Sequence, residues 1–580
     1  MRKSITLLAL LILTHLASQA QSPDAKFPKD DFAPPLHRPM EFSASFAELR
    51  PNHFHSGMDM RIGNKEGEPV YAPADGYVSR VNISPWGGGQ VLYITHSNGY
   101  RTVYMHLHDF VGDIGKWVRD YQYSHHVYAF DASPCDTIRV KKGQLIAHAG
   151  NSGSSGGPHL HYDIRYAHND QPINPLYFGL PYEDNIKPTI RDIKVYPADE
   201  DDLVNGQQKP ISLLENTKKG QQRTFWRDTL LVSGRFYTGI YATDISKGSP
   251  GKNGVERIEL YVDDSLFFQY SVPTFLFEET RAINAILDYP EYLSSHRTFV
   301  VTRQLRGNRN NWCQSVNGNG YLHFAEGSRH KLTYVALDYK GNRDSRTFWI
   351  KAVAATRQQG ITKHVAGIDC QGIPVAYFKH NDISKPGFRL VMEEGTIYDN
   401  DLLLYSMAPR AGLLSDMHTV RLQKNDLPPH KSMFVHMPLP YLKDTALSCK
   451  LVIVNISGTR MNALTTRRQN NVLVGTTRSF GSFGIALDTV APRLTAVNLH
   501  NGGHYAKGTV WRIKIWDNLS GVETYHCYVN GQWVLSQYDG KTASLYIDPS
   551  EALKSGLNNI RIILSDAVGN KTEEKFTVNY

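Results

Sequence analysis

The stretch NSGSSGGPHLHYDIR, residues 151 to 165, decides how this chain is read. Its second half is strand-like, and on a β-strand His159 and His161 project from one face while Leu160 turns to the core. The Gly/Ser loop before it, Asn151 to Pro158, permits positive φ and close approach of another backbone, which suits the rim of a groove for an extended peptide. A phosphate cradle is the rival reading, but no lysine and helix start follow, so the loop fails as a Walker motif. A plain flexible turn is the third.

A second cluster lies upstream in RPNHFHSGMDMR, residues 50 to 61. Gly57 and the strand-like MDMRI argue against a helix, so His55 and Asp59 meet only if a turn brings the chain back. Two neutral imidazoles and a carboxylate are what a catalytic zinc accepts, with a fourth position left for water. The nitrogen-rich set does not suit calcium or magnesium, which favour oxygen throughout. Taken singly, each cluster is also what chance gives in a chain with 24 histidines, and His106-Leu107-His108 is another HxH.

Between the clusters, Val91 to His96 and Arg101 to Leu107 read as strands joined by a tight turn at Asn98-Gly99. Alternation along the second strand sets Val103 and Met105 on an apolar face and Thr102, Tyr104 and His106 on the other. Ile138 to Gly150 reads as a further hairpin around Lys142-Gly143.

These pieces, HSGMDMR from His55, EGEPVYAPADGYVSRV from Glu66, YMHLH around His106 and VKKGQLIAHAGNSGSSGGPHLHYDIR from Val140, together resemble the lysostaphin-like, LytM-type zinc peptidases, which cut peptides of bacterial cell walls. The resemblance covers roughly residues 42 to 178. It implies that His55, Asp59 and His161 are ligands of Zn2+, and that His106 and His159 are the non-ligand catalytic pair. The stretch from Asp109 to Thr137 is longer than the usual connection, and His125-His126 within it are candidates for lining the substrate groove. His53, His108 and His148 read as structural or rim histidines, Asn52 as a turn residue, and Arg50 and Tyr162 as surface or groove-wall positions.

The chain of 580 residues has room for several domains. Its start, MRKSITLLALLILTHLASQA, reads as a secretory signal peptide over residues 1–20. The expected localisation is therefore exported, either periplasmic or at the cell surface and beyond. No Cys follows the cut, which argues against a lipid anchor there, and no later stretch is apolar for long enough to form a transmembrane segment. The net charge of +8 falls by two when Arg2 and Lys3 leave with the signal. That mild excess suits an anionic polymer such as cell wall, and no basic patch interleaved with aromatics points to nucleic acid. The five cysteines show no CxxC and no disulfide framework, with Cys370 to Cys449 the one pairing considered.

From about residue 184 the texture changes to short β runs separated by turns, as in sandwich domains. KPTIRDIKVYP at 187 to 197 echoes APRLTAVNL at 491 to 499, NGVERIELYVDD at 253 to 264 echoes SGVETYHCYVNG at 520 to 531, and LTYVALDYKGNRDSRTFWI from Leu332 echoes IRIILSDAVGNKTEEKFTV from Ile560. The expected fold is mainly β: a LytM-type β-sheet peptidase domain over 21–183, then three immunoglobulin-like β-sandwich modules over 184–355, 356–487 and 488–580. The charge-rich loops DISKGSPGKNG and DNLSG offer oxygen ligands to calcium, but they lack the ligand alternation of an EF-hand and read rather as solvated turns. The functional expectation is a secreted zinc endopeptidase acting on peptidoglycan peptides, with no oligomeric state implied. The alternative is a catalytically silent LytM-like scaffold or activator of another wall hydrolase, and the full set of ligand positions speaks against it.

Overall fold

β-branched and aromatic runs bounded by glycine turns favour strands in the first domain, and a central strand, His159–Tyr166, organises them. The structure is a computed structural model that describes residues 26–214, 228–246, 253–354, 372–424 and 427–580. The expected signal segment and Cys370, and with it the considered Cys370–Cys449 bridge, lie outside those residues.

His159–Tyr166 pairs antiparallel with Met58–Arg61 on one side and Tyr100–Met105 on the other. The sheet runs on through Gln90–His96 and Gly76–Ile83 to Phe130–Ala132, with Phe42–Ala44 at the opposite edge. The turn at Asn98-Gly99 is made, with Gly99 at φ 85°. A second sheet of Glu68–Tyr71, Leu145–Ala149 and Leu107–Phe110 shares the core of the first, where Leu160, Tyr104, Val70 and Ile146 are all fully buried.

Several local expectations need correction. Residues 138–150 turn at Gly143, with Gln144 N donating to Lys141 O at 2.9 Å, but they do not form a hairpin. Arg139–Val140 pairs with Gly76–Ile83, whereas Leu145–Ala149 joins the three-stranded sheet, so the turn is a corner between sheets. Tyr104 and Thr102 face the main core, and Val103 and Met105 pack in a smaller cluster with Val91 and Tyr93. Both faces of that strand are apolar, so alternation could not identify the deeper one. Tyr162 is fully buried beside Tyr104, with ring centroids 5.5 Å apart, because it occupies the core face of the central strand. The long connection holds an α-helix, Gly112–His125, whose buried Ile114, Val118 and Gln122 recur at helical spacing.

Three two-sheet β modules follow. Ile193, Leu260 and Tyr334 lie in the core of the first, Leu390, Val435 and Ile453 in that of the second, and Trp511, Ile562 and Leu564 in that of the third. The sequence echo is also an architectural one. In the first module Arg343–Ala352, Arg329–Leu337, Arg257–Val262 and Ser265–Ser271 lie side by side. In the last, Lys571–Asn579, Leu557–Asp566, Val522–Val529 and Gln532–Val534 repeat that order. Phe46 and Phe54, from the ligand-bearing segment of the first domain, lie in the core of the module that follows it. The Phe54 ring meets Trp312 edge-on at 4.6 Å.

Leu160→Ala removes a fully buried side chain from the core face of the central strand. It should lower unfolding free energy by about 2–5 kcal/mol, read from denaturant melts. A change of less than half that size would mean the strand's core face carries little of the stability.

Candidate metal centre

Register does the first part of the positioning. His161 stands opposite Asp59 on neighbouring strands, so their side chains share one face of the sheet. His55 reaches the same face from a folded-back segment, in which His55 N donates to Glu48 O at 3.0 Å and Ala47 N donates to His55 O at 2.9 Å. Asn52, at φ 63°, makes the turn of that segment, and its side-chain oxygen accepts from Asn284 Nδ2 at 3.0 Å. The chain then passes so close to the central strand that a Cβ on Gly57 would stand 2.1 Å from Asp163 Oδ1 and 2.3 Å from Tyr162 O. Only glycine fits there.

His55 Nε2, Asp59 Oδ1 and His161 Nδ1 are each 2.9 Å from the other two. All three residues are buried, at 2%, 6% and 4% exposure. The neighbours fix where the protons sit. His55 Nδ1 lies 2.7 Å from the carbonyl oxygen of Ser45, which can only accept, so that nitrogen carries the hydrogen and Nε2 is a lone pair. His161 Nε2 donates to Asp163 Oδ1 at 2.6 Å, which turns Nδ1 inward. Asp163 is fully buried and also accepts from Arg165 Nε at 2.8 Å. Arg50 Nη2 holds the outer oxygen of Asp59 at 2.7 Å.

His106 and His159 stand beside this trio, their ring centroids 4.7 Å apart and His106 6.1 Å from His161. By strict alternation His106 would follow Tyr104 into the core. Instead it sits at φ 62° with its N–H donating to Gly88 O at 2.7 Å, and the strand breaks there. Its Nδ1 donates to Ser152 O at 2.9 Å, which leaves Nε2 as its inward nitrogen, and His159 Nδ1 lies 2.8 Å from Gly157 O while its Nε2 stands 3.4 Å from Asp59 Oδ1. In the loop between, Gly153 at φ 70° lies against the backbone of Gly89, 2.3 Å from where its Cβ would be.

Burial disfavours imidazolium at His55 and pushes it down to about 4. At His161 burial acts the same way, but the Asp163 and Asp59 carboxylates outweigh it and push the group up to about 9. Burial would raise the Asp59 carboxyl, yet His55, His159 and His161 together hold it well below the usual range. His106 is pushed down to about 3, by burial first and by His161 and His159 next.

The remaining histidines lie elsewhere. His125 ends the helix and stacks on Tyr121 at 4.1 Å, and His126 stacks on Trp533 of the last module at 5.2 Å. Their contacts among the described residues do not include the trio. His53, His108 and His148 bond through Nδ1 to Pro51 O, Glu66 and Asp109. Asp163, Arg165 and Arg50 are the site residues that sequence reasoning missed. The first two had a signal, since His159, His161, Asp163 and Arg165 occupy alternate positions of one strand. Lys541 of the last module donates to the carbonyls of Asn151 and, at 3.5 Å, Ser155, in the loop beside His159.

Two imidazole nitrogens and a carboxylate oxygen, their protons drawn away by outer partners, converge on one point. Three acceptors so placed repel one another unless a cation or proton lies between them, and nitrogen with oxygen in this ratio suits zinc. Residues 53–123 and 123–175 match the family described as Peptidase family M23, and residues 374–488 match a Zu5-like domain. The chain carries a peptidase family M23 domain, as the LytM-type resemblance implied. A Haemophilus influenzae protein named as an uncharacterized metalloprotease is 34% identical over 156 residues, 25% of this chain and 27% of that protein. The peptidoglycan DD-endopeptidase ShyA of Vibrio cholerae is 29% identical over 132 residues, 23% of this chain and 24% of its own length. The chain thus spans about a quarter of the length of these relatives. Among solved structures, a mutant form of the catalytic domain of the prophage-encoded M23 protein EnpA from Enterococcus faecalis aligns with a TM-score of 0.20 at 27% identity, over 26% of this chain and 98% of that one.

An ion taking the His161 Nδ1 lone pair must displace the proton that this ring holds below about pH 9. Uptake of Zn2+ near pH 7 should therefore release about one proton, with affinity falling as pH falls. Calorimetry in buffers of different ionisation enthalpy reads this directly. A binding enthalpy independent of buffer would show that His161 is not the proton source.

Proposed function

We propose that the protein is an exported, zinc-dependent endopeptidase that hydrolyses peptide bonds of bacterial cell-wall peptidoglycan. One observation carries this reading: His55 Nε2, Asp59 Oδ1 and His161 Nδ1 stand 2.9 Å apart with their protons assigned to outer partners, beside two further histidines. These three residues would hold the zinc. Zinc, when bound, supplies a Lewis acid that polarises a carbonyl and brings the pKa of a water to about 7.

The chain's own groups supply the rest. His106, kept neutral by burial and oriented by Ser152 O, accepts a proton at Nε2. His159, oriented by Gly157 O, presents a second Nε2 to the same space. Between them the two rings can take a proton, return it to the leaving amine and support charge developing on the scissile oxygen. Arg50 and Asp163 keep the acceptor atoms of Asp59 and His161 pointed inward.

Peptidoglycan as substrate draws support from the name of the Vibrio cholerae relative, and export from the signal-like start of the sequence. The two related modules read as immunoglobulin-like elements for docking or spacing. The complete set of inward-facing acceptors weighs against a silent scaffold.

Asp59→Ala and His161→Ala should lose bound zinc and activity together, whereas His106→Ala should keep the metal and lose about 10²–10⁴-fold in turnover. The assay is digestion of purified sacculi with and without chelator, the fragments assigned by mass spectrometry and the metal by elemental analysis. Intact sacculi after treatment with fully zinc-loaded protein would defeat the assignment. A fully active His106→Ala would remove that residue's role.

A further inference from the structure

We propose that each of the two related β modules binds a calcium ion, through Asp184, Asp244, Asp338 and Asn253 in the first and through Asp488, Asp517 and Asp566 in the last. In each module one oxygen from each of the three aspartates lies within 4.8 Å of the other two. The positions are equivalent. Asp184 and Asp488 open the segments DNIKP and DTVAP, and Asp244 and Asp517 follow the strands Phe236–Thr243 and Trp511–Trp516. Asp338 and Asp566 stand at the matching hairpin turns DYKGN and DAVGN.

Their supports repeat as well. Asn342 Nδ2 donates to Asp338 Oδ2 at 2.8 Å and to Asp184 O at 3.3 Å. Asn570 Nδ2 donates to Asp566 Oδ2 at 2.7 Å and to Asp488 O at 3.1 Å.

An independent observation points to a ligand. Asp244 and Asn253 are 7% and 4% exposed, and the Oδ1 of each has no hydrogen-bond partner. Both line a cavity of about 40 Å³ together with Asp184 and Asp338. In the last module the matching atoms, Asp517 Oδ1 and Ser520 Oγ, are buried and partnerless in turn, Ser520 being the counterpart of Asn253 in the SGVE/NGVE echo. A buried oxygen with no donor is costly, and the same two positions bear it twice.

The bonds these carboxylates accept come from neutral groups. Tyr182 OH and Ile186 N bond to Asp184, Val490 N and Ser520 N to Asp488, Leu519 N and Gly521 N to Asp517, and Val568 N and Asn570 to Asp566. Burial and the nearby Asp338 and Asp184 push the Asp244 carboxyl up to about 7. An all-oxygen, multiply anionic set is the donor chemistry of calcium, whereas zinc takes nitrogen or sulfur and magnesium keeps most of its water. The expectation of a solvated turn is thereby revised at Asp244, which opens DISKGSPGKNG and is 7% exposed, and an EF-hand signature is absent because the ligands come from three distant segments. Each ion would tie the segment entering a module to that module's own hairpins.

The test is calorimetric titration of CaCl2 into the full chain, stripped with EDTA and reloaded with one equivalent of zinc. Two equivalents of calcium should bind, with Kd on the order of 10⁻⁴ to 10⁻³ M or tighter, and raise the melting temperature. Asp338→Asn and Asp566→Asn should each remove one equivalent, and the double variant both. Since Asp338 and Asp566 also anchor asparagines, Asp244→Asn and Asp517→Asn form a second pair that should give the same counts. Absence of calcium uptake, unchanged stoichiometry in both pairs, or equal binding of MgCl2 would each overturn the proposal.

Discussion

Two imidazole nitrogens and a carboxylate oxygen held 2.9 Å apart in a buried pocket form an arrangement that electrostatics would drive apart unless a cation or a proton lay between them. Much of the first domain can be read as the means of keeping them there. Strand register delivers Asp59 and His161, and Ser45 and Asp163 draw the hydrogens outward. Arg50 balances the charge of Asp59, and the missing side chain of Gly57 lets the His55 segment press against the central strand. Removing any one of these supports frees a group to turn away and satisfy itself elsewhere.

Period-2 alternation was enough to place His159 and His161 on one face, because a strand imposes that geometry whatever the tertiary context. It misassigned Tyr104, since with both faces apolar the pattern does not say which is the deeper. It could not place His106 either, whose positive φ takes it out of the alternation altogether. Arg50 left no trace because its partner lies across a fold-back that only the finished structure forms. The helix Gly112–His125 was hidden in a polar stretch with a buried face of only three residues. The echo between modules was legible as sequence, while the aspartates gathered by it were not, being brought together from three separate strands and turns.

The later modules are in contact with the first domain as well as with one another. Tyr339 OH donates to Leu176 O at 2.7 Å, Asn174 Nδ2 to Glu256 at 3.2 Å, and Arg119 pairs with Glu551 of the last module. Trp86 packs against Gly540, with Tyr538 edge-on at 6.3 Å. The loops flanking His106 and His159 therefore have neighbours drawn from the far end of the chain, and the shape offered to a peptide is a joint product of two domains.

Phe54 sits one residue before a ligand-position histidine, and its ring belongs to the neighbouring module's interior. Its backbone N–H is likewise taken by Thr280 Oγ1 at 2.7 Å. Recombination that grafted the N-terminal half onto a different chassis would strand this aromatic in water and let the adjoining imidazole drift. The two parts are thus coupled through this residue, and although each keeps a core of its own, the boundary expected near residue 184 does not separate Phe46 and Phe54 from the interior of the module that follows.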